Sequence, residues 1–165
     1  MKRSVSKGFT LVEILIVVII LGILAAIVIP QFTQASTEAR VSNLRTNLQT
    51  IRSQLLLYRM QHDNEAYPGP DEAAFIAQMT TYTNIAGVAV DTPDVDHPLG
   101  PYLQSIPRNP MSGSQTVRVE DGAFTAPAVG SDGGWWFNST TGEFRADLST
   151  SDDHRTADLT AYNAL

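Results

Sequence analysis

Glu13 is the residue near the N-terminus whose side chain most needs a chemical explanation, because it lies inside an apolar run from Phe9 to Ile29. An ionisable group in hydrocarbon costs about 2.5–3.5 kcal/mol or more unless it is paired or near the interface. Glu13 therefore either has a partner within the membrane or reaches back to the headgroups one turn away.

Two groups of aspartates further along the chain could bind a hard cation, since calcium prefers several carboxylate oxygens. They are Asp91, Asp94 and Asp96, and Asp147, Asp152 and Asp153. Neither group has the spacing of an EF-hand loop. We therefore predict no metal site, with calcium at the second group as the weaker alternative to solvated acidic loops.

Catalytic chemistry has no matching pattern in this chain. His62, His97 and His154 are far apart, and no H-E-x-x-H, G-x-S-x-G or P-loop sequence occurs. The sequence predicts a protein that is not an enzyme and that has no resident cofactor.

The apolar run has the length of a transmembrane helix, because about 20 residues cross the hydrocarbon of a bilayer. Lys2, Arg3 and Lys7 precede it, so the positive-inside rule predicts a cytoplasmic N-terminus and a single pass. A cleaved secretory signal ending near Ala35 is the alternative, although its apolar region would be unusually long and would contain Glu13.

The residues from Lys7 to Glu13, KGFTLVE, resemble the class III signal of type IV pilins and of the pseudopilins of type II secretion. The resemblance implies that a prepilin peptidase cuts after Gly8 and that the new N-terminus, Phe9, is methylated. It also implies a partner for Glu13, namely the Phe9 amine of a neighbouring subunit. Acid and ammonium attract strongly in a low dielectric when both are desolvated together.

Gly22 and Pro30 also match this family, in which the helix between such residues loosens when a subunit enters a filament. The physical reading agrees, since Pro30 removes a backbone donor and Gly22 weakens a helix by up to about 1 kcal/mol. The alternative is that Gly and Pro are simply frequent in membrane helices.

The loop sequence GPYLQSIP, Gly100 to Pro107, and the pair Tyr67-Pro68 resemble major pseudopilins in particular. This resemblance implies a structural filament subunit that assembles into a periplasmic pseudopilus for protein export. Its partners would be further copies of itself, minor pseudopilins or pilins, the prepilin peptidase and an inner-membrane assembly platform. The alternatives are a surface type IV pilin for adhesion, motility or DNA uptake, and a monomeric membrane-anchored binding domain.

Charge is distributed unevenly along the chain, whose formal net charge is −6. Gln31 to His62 contains four arginines and one acid, whereas Asp63 to Leu165 contains four arginines and fifteen acids. Because binding to phosphates needs a concentrated positive surface, we expect no nucleic-acid partner.

The polar stretch from Gln31 to His62 lacks Gly and Pro, so it is predicted to continue the first helix. Apolar residues at steps of three and four form a stripe that should pack on the head: Val41, Leu44, Leu48, Ile51, Leu55 and Tyr58. Arg45, Arg52 and Arg59 form a ridge beside it at seven-residue spacing. We interpret the ridge as a solvated border or, as a sharper hypothesis, as a contact with acids of an adjacent subunit.

The remainder is predicted to form a small head. A short helix is expected from Asp71 to Tyr82, then a long loop, and then three or four short antiparallel strands with a hairpin turn at Asp121-Gly122. Trp135 and Trp136 should lie on opposite faces of one strand. The fold class is α+β, pilin-like, divided into a leader (1–8), a transmembrane and polymerisation segment (9–30), an amphipathic continuation (31–62) and an extracytoplasmic head (63–165).

Overall fold

The computed structural model describes residues 8–123 and 133–147. The chain forms two compact units, Met1–Ala39 and Arg40–Leu165. In chain order the elements are α1 (Leu11–Gln61), a 3-10 turn (Asp63–Glu65), α2 (Glu72–Thr80), β1 (Tyr82–Thr83), β2 (Ala89–Val90), β3 (Val117–Glu120), β4 (Trp135–Asn138) and β5 (Phe144–Ala146).

Helix α1 confirms the prediction of one continuous helix through the apolar and amphipathic stretches. By length and composition it is able to cross a membrane. It continues through Pro30 without interruption.

The end of α1 is determined by local hydrogen bonding. His62 Nδ1 lies 2.7 Å from the Tyr58 carbonyl oxygen, which the helix itself no longer satisfies. Asn64 then adopts a left-handed conformation (φ 57°), and the Asp63 amide bonds to the Ile85 carbonyl at 2.9 Å. Left-handed residues stop a helix, and Asn accepts that conformation more readily than most side chains.

The predicted stripe of α1 forms the core of the second unit. Five of its members are buried: Leu44, Leu48, Ile51, Leu55 and Tyr58. They pack against Phe75 and Met79 of α2 and against the aromatic side chains of β4 and β5. Each buried aliphatic side chain contributes about 1.5–3 kcal/mol, so this stripe is the main apolar contribution of α1 to the head.

Helix α2 begins one residue later than predicted because Asp71 is its N-cap. The Asp71 Oδ1 atom accepts a hydrogen bond of 2.9 Å from the Ala74 amide. Such a cap contributes about 1 kcal/mol. The helix buries Phe75 and Met79.

The strands form two sheets. Strands β1 and β2 make an antiparallel pair, and the second sheet has the order β3-β4-β5. The α+β architecture is confirmed with one correction: β4 and β5 are antiparallel, but β3 and β4 are parallel, with Val117 opposite Trp135. The expected strand after Asp121-Gly122 includes Phe124 and Thr125, which lie outside the described residues.

The two tryptophans do point to opposite faces of β4, yet neither is exposed. Trp135 joins the core and donates through Nε1 to the Pro107 carbonyl at 2.8 Å. Trp136 is also fully buried and donates to Glu120 Oε2 at 2.8 Å. The tryptophan on the outer face, Trp136, is therefore covered by the rest of the head rather than accessible.

Candidate functional site

Helix α1 starts with a capping box formed by Thr10 and Glu13. The amide and the hydroxyl of Thr10 each donate to Glu13 Oε2 at 2.9 Å, and the Glu13 amide bonds back to Thr10 Oγ1 at 3.3 Å. The pattern T-x-x-E before an apolar run is a known start signal that the sequence reasoning missed. Glu13 thus has a structural role in the isolated chain.

The predicted cleavage point lies just before this cap. Gly8, Phe9 and Thr10 precede the first helical residue, and the Phe9 side chain is 82% exposed. A peptidase requires an accessible peptide outside regular secondary structure, and the Gly8-Phe9 bond has that environment in the described chain. Both hydrogen bonds that Glu13 accepts from Thr10 use Oε2, so Oε1 keeps its acceptor capacity for a nearby amine.

From residue 8 onward, the part of the first unit that the structure describes leaves all of its large apolar side chains exposed. From Leu11 to Ile29 these side chains expose between 41% (Val28) and 82% (Leu11). Gly22 lies among them, and a Cβ built on it meets nothing within 4 Å. A surface of this kind is stable only in lipid or against other helices.

Two arginines of the ridge, Arg52 and Arg59, are bonded within their own unit. Arg52 donates from Nε and Nη2 to the Phe144 carbonyl at 3.2 and 2.9 Å, which joins α1 to the edge strand β5. Burial lowers the pKa of Arg52, partly offset by the charge of Glu143. Sequence reasoning missed this role because the sequence does not reveal which strand edge lies beside the helix. The contact with a neighbouring subunit stays a prediction for Arg45, Arg52 and Arg59.

Arg59 has its own pair of partners. Its Nη1 donates to the Tyr67 hydroxyl at 3.2 Å, and its Nη2 pairs with Glu65. The hydrogen bond with Tyr67, the Tyr67 charge and the Glu65 carboxylate together raise the pKa of Arg59, against a smaller opposing effect of burial. The guanidinium also lies 5.2 Å from the centre of the Tyr67 ring.

These side chains line an open cleft of about 520 Å³ between the end of α1 and the β4–β5 turn. Its walls are mostly polar: Arg59, Asn64, Glu65, Ala66, Tyr67, Ser139, Thr140 and Thr141. The turn is rigid, since Asn138 Oδ1 accepts the Thr140 and Thr141 amides at 2.8 and 2.7 Å.

The proposed cation ligands do not come together in the described residues. Asp147 is buried and its carboxylate is bound by Arg118 from Nε and Nη2 at 2.9 and 3.2 Å. Burial alone would lower the pKa of Arg118. The hydrogen bonds and charges of Asp147 and Glu120 outweigh this effect, so the pKa of Arg118 is raised overall. Asp152 and Asp153 lie outside the described residues.

In the first aspartate group, Asp94 is bonded to a histidine. Asp94 Oδ1 accepts from the Asp96 and His97 amides at 2.9 and 2.8 Å and lies 2.7 Å from His97 Nδ1. This hydrogen bonding with His97 lowers the pKa of Asp94. Across residues 8–123 and 133–147 no three His, Cys, Asp or Glu side chains are placed to hold a metal ion.

Comparison with known proteins places these features in a family. Residues 3–29 match the prokaryotic N-terminal methylation motif. The chain is 42% identical over 72 residues to the type II secretion system core protein G of Pseudomonas aeruginosa, covering 44% of this chain and about half, 49%, of that relative. It is 31% identical over 140 residues to the core protein G of Vibrio cholerae, covering 81% of this chain and 88% of the relative.

Other relatives are type IV pilins. The type IV major pilin PilA of Myxococcus xanthus is 48% identical over 46 residues, which cover 28% of this chain and 21% of the relative. No solved structure gives a significant match.

The long apolar helix and the methylation motif together indicate membrane anchoring. The extent of the match to the Vibrio cholerae protein shows that the chain belongs to the family of type II secretion system core protein G, the major pseudopilins.

Proposed function

We propose that this chain is a structural subunit that polymerises into a periplasmic pseudopilus for protein export. The observation that carries the proposal is the helix surface from Leu11 to Ile29. Its large apolar side chains are at least 41% exposed, and its only carboxylate lies at its start. Lipid solvates this surface in the monomer, and helices of other copies replace the lipid in the filament.

The subunit matures before it assembles. A prepilin peptidase cuts between Gly8 and Phe9 and methylates the Phe9 amine. Both residues lie outside the helix and are exposed, which supports access by such an enzyme. The cut removes the basic leader and leaves the new ammonium four residues before Glu13.

Glu13 then sets the register of each incoming subunit. Its carboxylate pairs with the Phe9 ammonium of a neighbouring copy, and the pair is strong because both groups are removed from water together. Thr10 already orients Oε2, so the side chain is held close to the helix start before the partner arrives.

Gly22 and Pro30 mark the segment of α1 that loosens during assembly. Both are inside a continuous helix in the isolated chain, so loosening would occur on entry into the filament. The head stays periplasmic and the N-terminus cytoplasmic. Assembly takes place on an inner-membrane platform, with minor pseudopilins or pilins as further partners, and the chain acts as a structural subunit rather than an enzyme.

The test is the intact mass and the N-terminal peptide of the protein purified from its own membrane, together with electron microscopy of filaments. A chain that starts at Phe9 with one extra methyl group, and that forms filaments, supports the proposal. A chain that still starts at Met1, or one that starts near Ser36, contradicts it and favours a monomeric anchor or a soluble exported domain.

A surface type IV pilus is the second candidate, favoured by the match to the pilin of Myxococcus xanthus. The chain contains no cysteine, whereas the disulfide loop near the C-terminus is a common feature of surface pilins. Labelling intact cells with an antibody to the head separates the two functions, since only a surface pilus is labelled without opening the outer membrane.

A further inference from the structure

We propose that the Arg59 cleft receives the acidic loop 91–96 of a second copy of this chain, giving a head-to-tail contact between neighbouring subunits. The inference rests on the proposed function, because it assigns a partner to one surface of the head within the filament. It adds a contact outside the apolar helix.

The cleft is incomplete with respect to hydrogen bonding. Arg59 Nε is buried and has no hydrogen-bond partner among the described residues. Glu65 bonds to Nη2 alone. The Arg59 side chain as a whole is 39% exposed, so a rotation of its guanidinium would turn Nε towards the cleft. A carboxylate along the Nε and Nη2 edge would then satisfy both donors at once, which is the strongest geometry for this pair. A buried donor without an acceptor in a native structure calls for such an explanation.

The present partner of Arg59 lies at the surface of the head. The Glu65 side chain is 73% exposed. Its backbone is left-handed (φ 52°), a conformation that is costly for a residue other than glycine. The Tyr67 hydroxyl accepts from Arg59 and can still donate its own proton to an incoming carboxylate.

The complementary group is on a different part of the same head. Loop 91–96 follows β2 and carries Asp91, Asp94 and Asp96. Asp94 is occupied in fixing the loop through Asp96 and His97, whereas the side chains of Asp91 and Asp96 are exposed. Val95, between the two last acids, is 96% exposed, the highest value among the exposed large apolar side chains of the described chain.

Two different complementary surfaces on one molecule produce a particular kind of assembly. A contact between unlike surfaces is heterologous, and repetition of it gives a ring or, where the rotation does not close, an open helical filament rather than a closed dimer. A contact between like surfaces would stop at two copies. The Arg59 cleft and loop 91–96 therefore suit a filament subunit, with Asp96 as the incoming carboxylate and Val95 against the cleft wall.

Disulfide trapping provides the experiment, because the chain has no native cysteine. Thr140→Cys marks the cleft rim and Val95→Cys marks the loop tip. We expect the double variant, expressed full-length and assembled in its membrane, to give a ladder of cross-linked multimers on oxidation. A mixture of the two single variants should give dimers only, and either single variant alone should give none.

Charge reversal supplies the second measurement. Arg59→Glu should reduce filament yield several-fold, and Asp96→Arg in the same chain should restore it. Arg40→Glu, the same charge change at an exposed position of the same helix, serves as the control and should leave the yield unchanged. Circular dichroism checks that each variant keeps the helix content of the parent.

The outcomes separate this inference from the proposed function. If wild-type filaments form but the double cysteine variant gives no ladder, or if Thr140→Cys alone cross-links to itself, the head-to-tail contact is wrong and the filament function stands. If the wild-type chain forms no filaments at all, the proposed function fails. A ladder together with rescue by Asp96→Arg establishes the contact.

Discussion

Glu13 is bound to Thr10 at the first turn of α1, with both hydrogen-bond donors of Thr10 directed at the same carboxylate oxygen at 2.9 Å. The residue expected to pair with another subunit is therefore also half of a helix cap. The two roles use different properties of the side chain, since capping needs an acceptor and pairing with an ammonium needs a negative charge.

The first prediction separates these roles with two substitutions. Glu13→Gln keeps an acceptor at the third helical position but removes the charge, so the helix content should stay unchanged while filaments are lost. Thr10→Ala removes the cap, at a cost of about 1 kcal/mol, but keeps the charge. It should fray the first turn and leave assembly largely intact.

Circular dichroism in detergent and filament counts by electron microscopy measure the two effects. If Glu13→Gln assembled as well as the parent, the charge of Glu13 would have no role in assembly. If Thr10→Ala abolished filaments, the cap itself would be the assembly determinant.

The second prediction concerns the hydrogen bonds from Arg52 to the Phe144 carbonyl. Arg52→Met keeps the apolar stem but removes both donors, and we expect a loss of about 1–2 kcal/mol in the free energy of unfolding. Arg40→Met, on an exposed part of α1, is the matched control and should change stability by less than about 0.5 kcal/mol. Urea denaturation of the two variants measures the difference, and equal midpoints would show that the contact adds nothing.

The partners of Arg52 and Arg59 within the head also limit what a charge reversal of the arginine ridge can show. Because Arg52 and Arg59 have partners in their own head, reversing their charge alters the folded subunit as well as any contact with a neighbour. Charge reversal of the whole ridge would therefore mix two effects, which is why a stability measurement must accompany each assembly measurement.

The elements of this fold could be predicted where their signals are local. The stripe from Leu44 to Tyr58 repeats at helical spacing, and its burial follows from that repeat. The parallel pairing of β3 with β4 could not be predicted, because the Asp121-Gly122 turn signal concerns only adjacent residues. The hydrogen-bond partner of Trp136 could not be predicted either, because Glu120 is sixteen positions away in the sequence.

The candidate functional residues also differ in whether the sequence alone could predict them. The Gly8 to Glu13 motif is contiguous, so its chemistry is readable from the sequence. The Arg59 cleft is formed by residues near 65 and near 140, and only the folded chain brings these together. No periodicity in the sequence indicates that Tyr67 lies against the β4–β5 turn.

The third prediction uses that contact between Tyr67 and the turn. A Cβ at Gly142 would lie 2.1 Å from Tyr67 Cζ, and the residue has a φ of 75°. Gly113 has nearly the same φ, 76°, but open space around its Cβ position. Gly113→Ala should cost about 1 kcal/mol for the backbone alone, whereas Gly142→Ala should cost clearly more because the ring must also move.

Thermal unfolding of the two alanine variants tests this difference. Equal losses of stability would mean that the ring shifts freely and that Tyr67 is not a fixed wall of the cleft. A larger loss at Gly142 would support the geometry on which the Arg59 cleft depends.

The fourth prediction is a pH dependence caused by Tyr58. Burial, and to a lesser extent the neighbouring Tyr102, raises the pKa of Tyr58 to about 12 from its ordinary value of 10.0. The folded state therefore holds the phenol proton more tightly than the unfolded state. This contribution to stability is fully present below pH 10 and is lost as the pH rises from about 10 to about 12, by up to about 3 kcal/mol.

Tyr58→Phe is the control, because it keeps the ring but cannot ionise. Its free energy of unfolding should change less over the same alkaline range than that of the parent. If the free energy of unfolding changed with pH in parallel for the two proteins, the pKa of Tyr58 would not be raised in the folded state. The absorbance of tyrosinate during the titration would then show at which pH the tyrosines ionise.

The last prediction concerns the helix between Gly22 and Pro30, which is continuous in the isolated chain. Gly22→Ala introduces no clash, since nothing lies within 4 Å of the added Cβ, and it should stabilise the helix by up to about 1 kcal/mol. If this segment must loosen during assembly, the same substitution opposes the loosening and filament yield should fall while the monomer remains folded. Ala25→Gly, a loosening change on the same helix, should leave the yield intact. Filament counts at equal subunit concentration measure both, and an undiminished yield for Gly22→Ala would mean that Gly22 serves only close helix packing in the membrane.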